Sequence, residues 1–200
     1  VLFRSYSQQP ENSRLIVREK NGIGLDQFLL LQVGSDFKRK GVPRTLQALA
    51  SLPDVIRHRT RLMVVGQDKA DRYRAQARQL GVEEQVQFFS GRDDVAELMS
   101  AADLLLHPAV QEAAGIVLLE AVVAGLPVLT TEVCGYAGYI DAAQCGVVIP
   151  EPFEQENLNT ALFDALQNNE QRSRWAGNAR HFADTKDLYS LADKAADIIL

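Results

Sequence analysis

The sequence predicts an α/β fold built on a doubly wound parallel sheet of about six strands. Short apolar runs of strand length recur along the chain without polar alternation, which is expected of strands covered on both faces. Segments with helical spacing separate these runs, and this alternation favours βαβ units. The chain has 200 residues, of which 46% are hydrophobic, so it is large enough for one domain with a substantial core.

The first predicted strand is the run FLLLQVG at 28–34, which ends in glycine. A short helix over 12–21 precedes it, with Gly22 as its stop. Residues 132–143 are expected to form a loop that moves, in which Tyr136 and Tyr139 serve packing. The other strands are predicted at 61–66, 86–91, 104–108, 126–131 and 145–150, and the other helices at 42–52, 69–80, 93–103, 115–125 and from 153 to the end, closing with LYSLADKAADIIL.

Composition excludes several classes of function. The net charge is -5 with both signs interspersed, so no basic surface for nucleic acid is predicted. The longest apolar run, 115–129, contains Glu120 and Pro127 and is shorter than the roughly 20 residues that a membrane helix needs. The two cysteines, Cys134 and Cys145, are expected to be reduced and buried rather than bridged.

Two glutamates stand out in the apolar stretch from 107 to 131. Glu112 and Glu120 bracket seven residues that are all apolar or glycine. A helix that is apolar on all sides is expected to be buried, so Glu120 should be a carboxylate inside the core that needs a partner. A ligand hydroxyl would provide that partner. The alternative is that Glu120 pairs with an arginine and Glu112 is a solvated loop residue.

The helix that carries Glu120 is predicted to begin near Ala114, with Gly115 in its first turn. Small residues there leave the backbone amides of the first turn open to an anion, so we expect a phosphate-binding site. Glu112 then precedes this site, and Glu120 follows it by more than one turn. A sugar hydroxyl, a diphosphate and a ribose diol laid end to end would match that order.

A basic loop follows the first predicted strand. Lys38, Arg39 and Lys40 lie between the carboxyl end of that strand and the next helix, which is where ligands bind in open α/β sheets. Arginine would bind phosphate through two hydrogen bonds, and lysine would act as a point charge. The alternative is a solvated turn without a ligand.

The Glu-x7-Glu spacing, followed by GLPVLTT and preceded by His107 and Pro108, resembles the signature of retaining glycosyltransferases of family 4. The resemblance implies a GT-B fold, of which this chain would be the Rossmann-like, C-terminal half that binds the sugar nucleotide. In that family, the first glutamate contacts hydroxyls of the transferred sugar, the amides after it hold sugar and diphosphate, and the second glutamate contacts the ribose. The resemblance therefore implies such roles for Glu112, Ala113, Gly115, Ile116 and Glu120.

The family also binds the diphosphate with a basic pair after the first strand. In most members the arginine follows the strand glycine directly, whereas here Ser35 follows Gly34 and the pair Arg39 and Lys40 comes just before Gly41. The run LLLQVGSDFKRKGV is similar to the branch of the family that builds the lipopolysaccharide core. This similarity implies that Gly34, Ser35, Arg39 and Lys40 bind the diphosphate, and that Arg39, Lys40 and Glu112 are the catalytic residues.

The same resemblance implies transfer of glucose from UDP-glucose to the heptose inner core of lipopolysaccharide. Residues 1–25 would connect two halves and 26–200 would bind the sugar nucleotide. The acceptor-binding N-terminal half would be absent from this chain, so the chain alone is expected to be inactive. The location would be cytoplasmic, with peripheral association with the inner membrane through that other half. The alternatives are nucleotide-sugar binding without turnover, and a family 4 transferase with another hexose donor or acceptor.

Arg92 follows the third predicted strand, where residues of the family face the nucleobase, so it is expected either against uracil or free on the surface. His107 is expected to orient loop backbone rather than to act as a base. No Asp-x-Asp pair follows a strand, so we expect neither a metal nor a cofactor besides the UDP-sugar substrate. A dinucleotide oxidoreductase is disfavoured because no G-x-G-x-x-G opens a helix after the first strand.

Overall fold

A computed structural model describes residues 13–186 and residue 188 of the chain. The remaining positions, 1–12, 187 and 189–200, lie outside the described residues. They include the opening of the expected connection and nearly all of the predicted closing segment, so both expectations stay predictions there.

Six parallel strands form one sheet in the order β3-β2-β1-β4-β5-β6. This order is that of doubly wound Rossmann-like sheets, so the predicted fold class is confirmed. The four residues from Leu29 to Gln32 of the first strand are all buried, as the apolar run predicted. The strands are β1 (Phe28–Val33), β2 (Thr60–Val65), β3 (Val86–Phe89), β4 (Leu104–His107), β5 (Val128–Thr131) and β6 (Gly146–Ile149).

Helices connect the strands and cover both faces of the sheet. The described residues contain α1 (Ser13–Lys20), α2 (Val42–Ser51), α3 (Asp54–Arg57), α4 (Asp71–Gln79), α5 (Val95–Ala101), α6 (Ile116–Ala124), α7 (Ala137–Ala143), α8 (Gln155–Gln167) and α9 (Asn169–Lys186). A single 3-10 turn, Glu83–Gln85, precedes β3. Among these helices, none is long and apolar enough to span a bilayer.

Two elements differ from the sequence-based expectation. The expected moving loop over 132–143 contains α7, which buries Ala137, Ile140 and Ala143 at helical spacing. Gly135 and Gly138 obscured this three-residue face, because glycine is typical of loops. The short helix α3 was also not predicted. The packing expected of Tyr136 and Tyr139 is confirmed, since their rings meet edge to face with centroids 5.6 Å apart.

Alternate residues of each strand point into two separate cores. On one face, Leu29, Leu31 and Leu105 pack with residues of α1, α5, α6, α7 and α9. On the other face, Leu30 and Leu104 pack with residues of α2, α4 and α8. Both cysteines are free and buried, as predicted.

The strand order reverses between β1 and β4, which are hydrogen-bonded neighbours at the centre of the sheet. After β1 the chain runs to one side of this junction, and after β4 it runs to the other. The loops that leave the two carboxyl ends lie side by side at this switch point, and the crevice outside it is the position where open α/β sheets bind ligands. The basic loop and the loop that carries Glu112 are these two segments.

Candidate functional site

The loop between β1 and α2 is held in one conformation by its own backbone. Gly34 has φ +134°, and its Cα faces the Lys40 side chain so closely that an added Cβ would lie 3.2 Å from Lys40 Cε. The Gln32 side-chain amide donates to the Lys40 carbonyl at 2.7 Å. Ser35 Oγ accepts a hydrogen bond of 3.0 Å from the backbone N–H of Gln67. The loop therefore folds back over the end of β1 and directs Lys40 towards β4.

The loop between β4 and α6 is fixed from both sides. The backbone N–H of Val110 donates to the Arg39 carbonyl at 2.7 Å. Arg44 and the Thr131 hydroxyl both donate to the Ala109 carbonyl, at 2.7 and 2.8 Å. Gly41 packs so tightly on this loop that an added Cβ would lie 1.8 Å from the carbonyl oxygen of Pro108. Sequence reasoning missed this support, because Arg44 lies in no motif and Thr131, although it ends the run GLPVLTT, was predicted only as part of a strand.

The two loops meet in an ion pair between Lys40 and Glu112. Lys40 Nζ contacts Glu112 Oε2, and the two side chains are only 14% and 8% exposed. Burial alone would raise the pKa of Glu112, but Lys40 and His107 together hold that pKa below its ordinary value. Glu112 is thus an ionised, buried carboxylate at the junction of β1 and β4. The alternative that Glu112 is a solvated loop residue is wrong.

His107 ends β4 directly beneath this pair. Its side chain is completely buried, and its Nε2 lies 3.6 Å from Glu112 Oε2. Neither ring nitrogen has a hydrogen-bond partner among the described residues. Burial, reinforced by the Lys40 charge, lowers the pKa of His107 to about 4, so the ring is neutral near pH 7. The expectation that the His107 side chain orients loop backbone is therefore wrong, since its ring makes no hydrogen bond to the backbone of the described residues.

The amino end of α6 opens beside Glu112. The helix begins at Ile116 rather than near Ala114, and Gly115 precedes it in the left-handed region with φ +79°. No side chain caps this end, so the amides of the first turn remain available to an anion. Ala113 and Ala114 are exposed, and the Ala114 carbonyl accepts from the N–H of Tyr136 at 2.9 Å, which fixes the approach to the helix.

Glu120 does not lie inside the core, contrary to the prediction. Six of the nine residues of α6 are buried, but Ile116, Glu120 and Ala124 are not. These three positions are four residues apart, so they form one stripe along a single face of the helix. The apolar composition around Glu120 is explained because α6 contacts the sheet and other helices on all its remaining sides. Glu112, which sequence reasoning placed in the loop, is the carboxylate that is buried.

The other two basic site residues follow β1 and the edge strand β3. Arg39 is partly exposed, and its Nε donates to Asp36 at 3.1 Å. Arg92 is not a free surface arginine, because it donates to both carboxylate oxygens of Asp94, at 2.7 and 2.6 Å. Its guanidinium also lies 4.9 Å from the centre of the Phe89 ring. The structure thus brings Lys40, Glu112 and the start of α6 together, while Arg39 and Arg92 are each held by a neighbouring aspartate.

The fold and the crevice are those of the C-terminal half of GT-B glycosyltransferases, and the sequence matches the family Glycosyl transferases group 1 over residues 13–182. The chain therefore belongs to this family. It is 67% identical to the lipopolysaccharide glucosyltransferase WaaG of Escherichia coli K12, over 98% of this chain and 52% of that protein. A crystal structure of WaaG superimposes with a TM-score of 0.94, over 97% of this chain and 52% of the other.

More distant structures share the fold alone. The C-terminal domain of the group 1 glycosyl transferase LpcC of Francisella tularensis superimposes with a TM-score of 0.75 at 18% identity, over 91% of this chain and 96% of that domain. Anabaena HepE, solved with UDP-glucose, superimposes with a TM-score of 0.82 at 22% identity, over 97% of this chain and 54% of the other. This chain spans about half the length of the curated relative WaaG, 52%.

Proposed function

We propose that this chain binds the sugar nucleotide in a retaining glycosyltransferase that moves glucose from UDP-glucose to the heptose inner core of lipopolysaccharide. The observation that carries the proposal is the meeting of Lys40, Glu112 and the uncapped start of α6 at the reversal of strand order. The choice of substrates rests on the 67% identity to WaaG, which is named a lipopolysaccharide glucosyltransferase. HepE, which has the same fold, was crystallised with UDP-glucose.

The diphosphate would lie over the amino end of α6. Lys40 and Arg39 would bind its oxygens, together with the amides around Gly115 and Ile116, because anions are favoured at a helix start. Ser35 and Gly34 would border it from the β1 side. This arrangement places positive charge where negative charge develops when the bond between the sugar and the phosphate breaks.

The remaining residues would contact the two ends of UDP-glucose. Glu112 and the backbone at Ala113 would hold hydroxyls of the glucose, and Glu120 would accept hydrogen bonds from the ribose. Arg92, stacked on Phe89 at the end of β3, would border the uracil. Glu112 and Glu120 are then separated by the diphosphate, in agreement with their positions before α6 and on its open stripe.

The reaction would exchange one bond for another at the anomeric carbon of glucose. The bond from that carbon to the phosphate oxygen breaks and UDP leaves with the electron pair. A heptose hydroxyl forms the new bond on the same face, and its proton passes to an oxygen of the departing phosphate. Lys40, Arg39 and the α6 amides would stabilise the leaving diphosphate. Retention follows from attack on that face, beside the leaving group.

The acceptor would be bound by a second, N-terminal half, which the length of WaaG relative to this chain supports. We propose that the protein acts in the cytoplasm and associates peripherally with the inner membrane through that half. Because the relatives are about twice as long, nucleotide-sugar binding without turnover is the second candidate for this chain alone. It predicts binding of UDP-glucose by residues 1–200 with no transfer of glucose.

Calorimetric titration of this chain with UDP and UDP-glucose, beside a glucose-transfer assay on lipopolysaccharide truncated after heptose, tests both candidates. We expect Glu120→Gln to weaken binding of UDP. We expect Glu112→Ala to leave UDP affinity unchanged but to abolish the preference for UDP-glucose over UDP. An Arg39→Ala, Lys40→Ala double variant that binds UDP as well as the wild type does would contradict the diphosphate site.

A further inference from the structure

His107 has an unusual lack of partners for a buried polar side chain. It is completely buried, yet neither Nδ1 nor Nε2 is hydrogen-bonded within the described residues. The Thr130 hydroxyl donates to the His107 carbonyl at 3.1 Å and lies 3.3 Å from Cys134 Sγ, so it is directed to the backbone and not to the imidazole. Buried polar groups are normally satisfied, so an unpartnered imidazole beneath a ligand crevice requires an explanation.

The geometry around Glu112 provides one. Lys40 Nζ and His107 Nε2 both approach the same carboxylate oxygen, Oε2, and Lys40 is in contact while the imidazole remains at 3.6 Å. A distance of 3.6 Å is too long for a hydrogen bond, but a small movement closes it. The tautomer with the proton on Nε2 is favoured. In the Nδ1–H tautomer, the lone pair of Nε2 would face the negatively charged Glu112 carboxylate.

We propose that His107 is a positioning residue that donates its Nε2 proton to Glu112 Oε2 when bound phosphate draws Lys40 away. The inference rests on the proposed function, in which Lys40 binds the diphosphate and Glu112 binds the glucose. In the free chain Lys40 holds the carboxylate, and in the complex His107 holds it. Glu112 thereby remains ionised and oriented towards the sugar hydroxyls although it has lost its cation.

The replacement of Lys40 by His107 as the partner of Glu112 would explain why a buried histidine has no hydrogen bond within the described residues of the free chain. A buried carboxylate without a partner would take up a proton and lose its capacity to accept two sugar hydroxyls. Bound phosphate oxygens compete with Glu112 for the three N–H donors of Lys40, so the contact between Lys40 and the carboxylate weakens when the diphosphate is bound. His107 would supply the second partner from a completely buried position at the end of β4, so it would not block the ligand.

The first test needs no ligand and observes the imidazole nitrogens by long-range ¹H–¹⁵N NMR on residues 1–200. Lys40→Met imitates the loss of the lysine. We expect His107 to be the Nε2–H tautomer in the wild type, and we expect its Nε2 proton to shift downfield in Lys40→Met. The shift should vanish in Lys40→Met, Glu112→Gln. A ring protonated at Nδ1, or a signal that Lys40→Met does not change, overturns the proposal.

The second test uses calorimetry with UDP and UDP-glucose on His107→Gln and His107→Asn. The glutamine amide reaches the place of Nε2, whereas the shorter asparagine reaches only that of Nδ1. We expect His107→Asn to weaken UDP-glucose binding about tenfold, because a hydrogen bond to a charged group is lost, with UDP affinity within about twofold. His107→Gln should retain the preference for UDP-glucose over UDP.

A matched control is Thr60→Val, which removes a buried hydroxyl that donates to the Ile56 carbonyl at 2.8 Å at the opposite edge of the sheet. It should lower stability but leave both affinities unchanged. Equal losses for UDP and UDP-glucose in His107→Asn would mean a structural role and would overturn the inference. Failure of the wild type to bind UDP would instead reject the proposed function, and the positioning role with it. The NMR experiment would still report whether His107 Nε2 contacts Glu112.

Discussion

The amino and carboxyl edges of the sheet both gather charged side chains, but these side chains find different kinds of partner. At the amino edge, arginines bind carbonyl groups at the ends of helices and loops. At the carboxyl edge, a lysine and a histidine approach one carboxylate oxygen. The charges at the amino edge stabilise the fold, whereas those at the carboxyl edge lie in the proposed ligand site.

Arg18 is representative of the amino edge. It is 1% exposed and donates to the carbonyls of Gly24, Gln27 and Ala101 as well as to Asp103. Burial lowers its pKa, although the Asp103 charge opposes this. Arg14 shares two of these hydrogen-bond partners, since it donates to the Ala101 carbonyl at 2.9 Å and to Asp103 at 2.5 Å. These bonds end α5 and close the turn before β4, so their role is structural.

A cavity of about 300 Å³ at this edge shows the same principle. Arg14 and Arg172 line it, and Arg172 donates to the carbonyls of Ala165 and Leu166 at the end of α8. Arg172 thus binds the carbonyl end of a helix, which attracts cations, and Arg14 binds the Ala101 carbonyl at the end of α5 together with Asp103. At the carboxyl edge, by contrast, neither ring nitrogen of His107 has a hydrogen-bond partner within the described residues, and Lys40 contacts Glu112 Oε2.

The largest effect is expected for Arg18→Met. Removing this guanidinium leaves buried carbonyls and Asp103 without their partner, and we expect the free energy of unfolding to fall by about 4 kcal/mol. Urea denaturation at pH 7 measures the change. Arg14→Met is the control, because its side chain is 43% exposed and water can replace it. Equal losses in the two variants would contradict the assignment of Arg18 as the principal support of this edge.

A pH effect on stability is expected from His107. Its pKa is about 4 in the folded chain and near 6.5 when unfolded, so between these values the unfolded chain binds the extra proton. The free energy of unfolding should therefore fall as the pH drops from about 6.5 to 4, by on the order of 3 kcal/mol from this group. Below that window the contribution is constant.

The difference in the free energy of unfolding between the wild type and His107→Gln isolates the contribution of His107, since the glutamine does not titrate. Urea unfolding at intervals from pH 7 to 4 should show a steeper decline for the wild type. Parallel curves for the two proteins would show that His107 titrates alike in the folded and unfolded chains.

Gly41→Ala should weaken the contact between the two site loops. Gly41 has φ +76°, and an added Cβ would lie 1.8 Å from the Pro108 carbonyl oxygen. Gly81→Ala is a matched control, because Gly81 has φ +70° but nothing within 4 Å. The left-handed backbone should cost both variants about 1–2 kcal/mol in the free energy of unfolding. Only Gly41→Ala should also weaken UDP binding by calorimetry; equal behaviour would mean that the loops tolerate separation.

The smallest effect is expected for Arg39→Met. Arg39 is 43% exposed and pairs with Asp36, which is 54% exposed, so its loss should change the free energy of unfolding by less than about 1 kcal/mol. UDP affinity should fall a few-fold and become less sensitive to salt, because one phosphate contact is lost. Arg74→Met, which removes a similar exposed pair with Asp71, should leave UDP affinity unchanged. A salt dependence of UDP binding like that of the wild type would exclude Arg39 from the site.

Much of the fold could be predicted because its signals are local. The apolar run at 28–34 predicted β1 within one residue, and the glycines after it marked the turn. The helix α7 was missed because its buried face has only three residues, interrupted by Gly138. The prediction that Glu120 lies inside the core was wrong. The amino-acid composition of a helix indicates its average environment, and it does not show that Ile116, Glu120 and Ala124 form one stripe that is not buried.

The sequence by itself determined the alternation of buried strands and helices, the position of the basic loop after β1, and the spacing of the two glutamates. Only the tertiary structure decided that Lys40 lies against Glu112, that Glu112 rather than Glu120 is buried, and that the His107 ring beside them has no hydrogen bond within the part of the chain that the structure describes. The apolar pattern of a strand or helix depends only on a few consecutive residues. The partners of a charge are set by strand order, which brings together loops some 70 residues apart in the chain, as Lys40 and Glu112 are at a separation of 72.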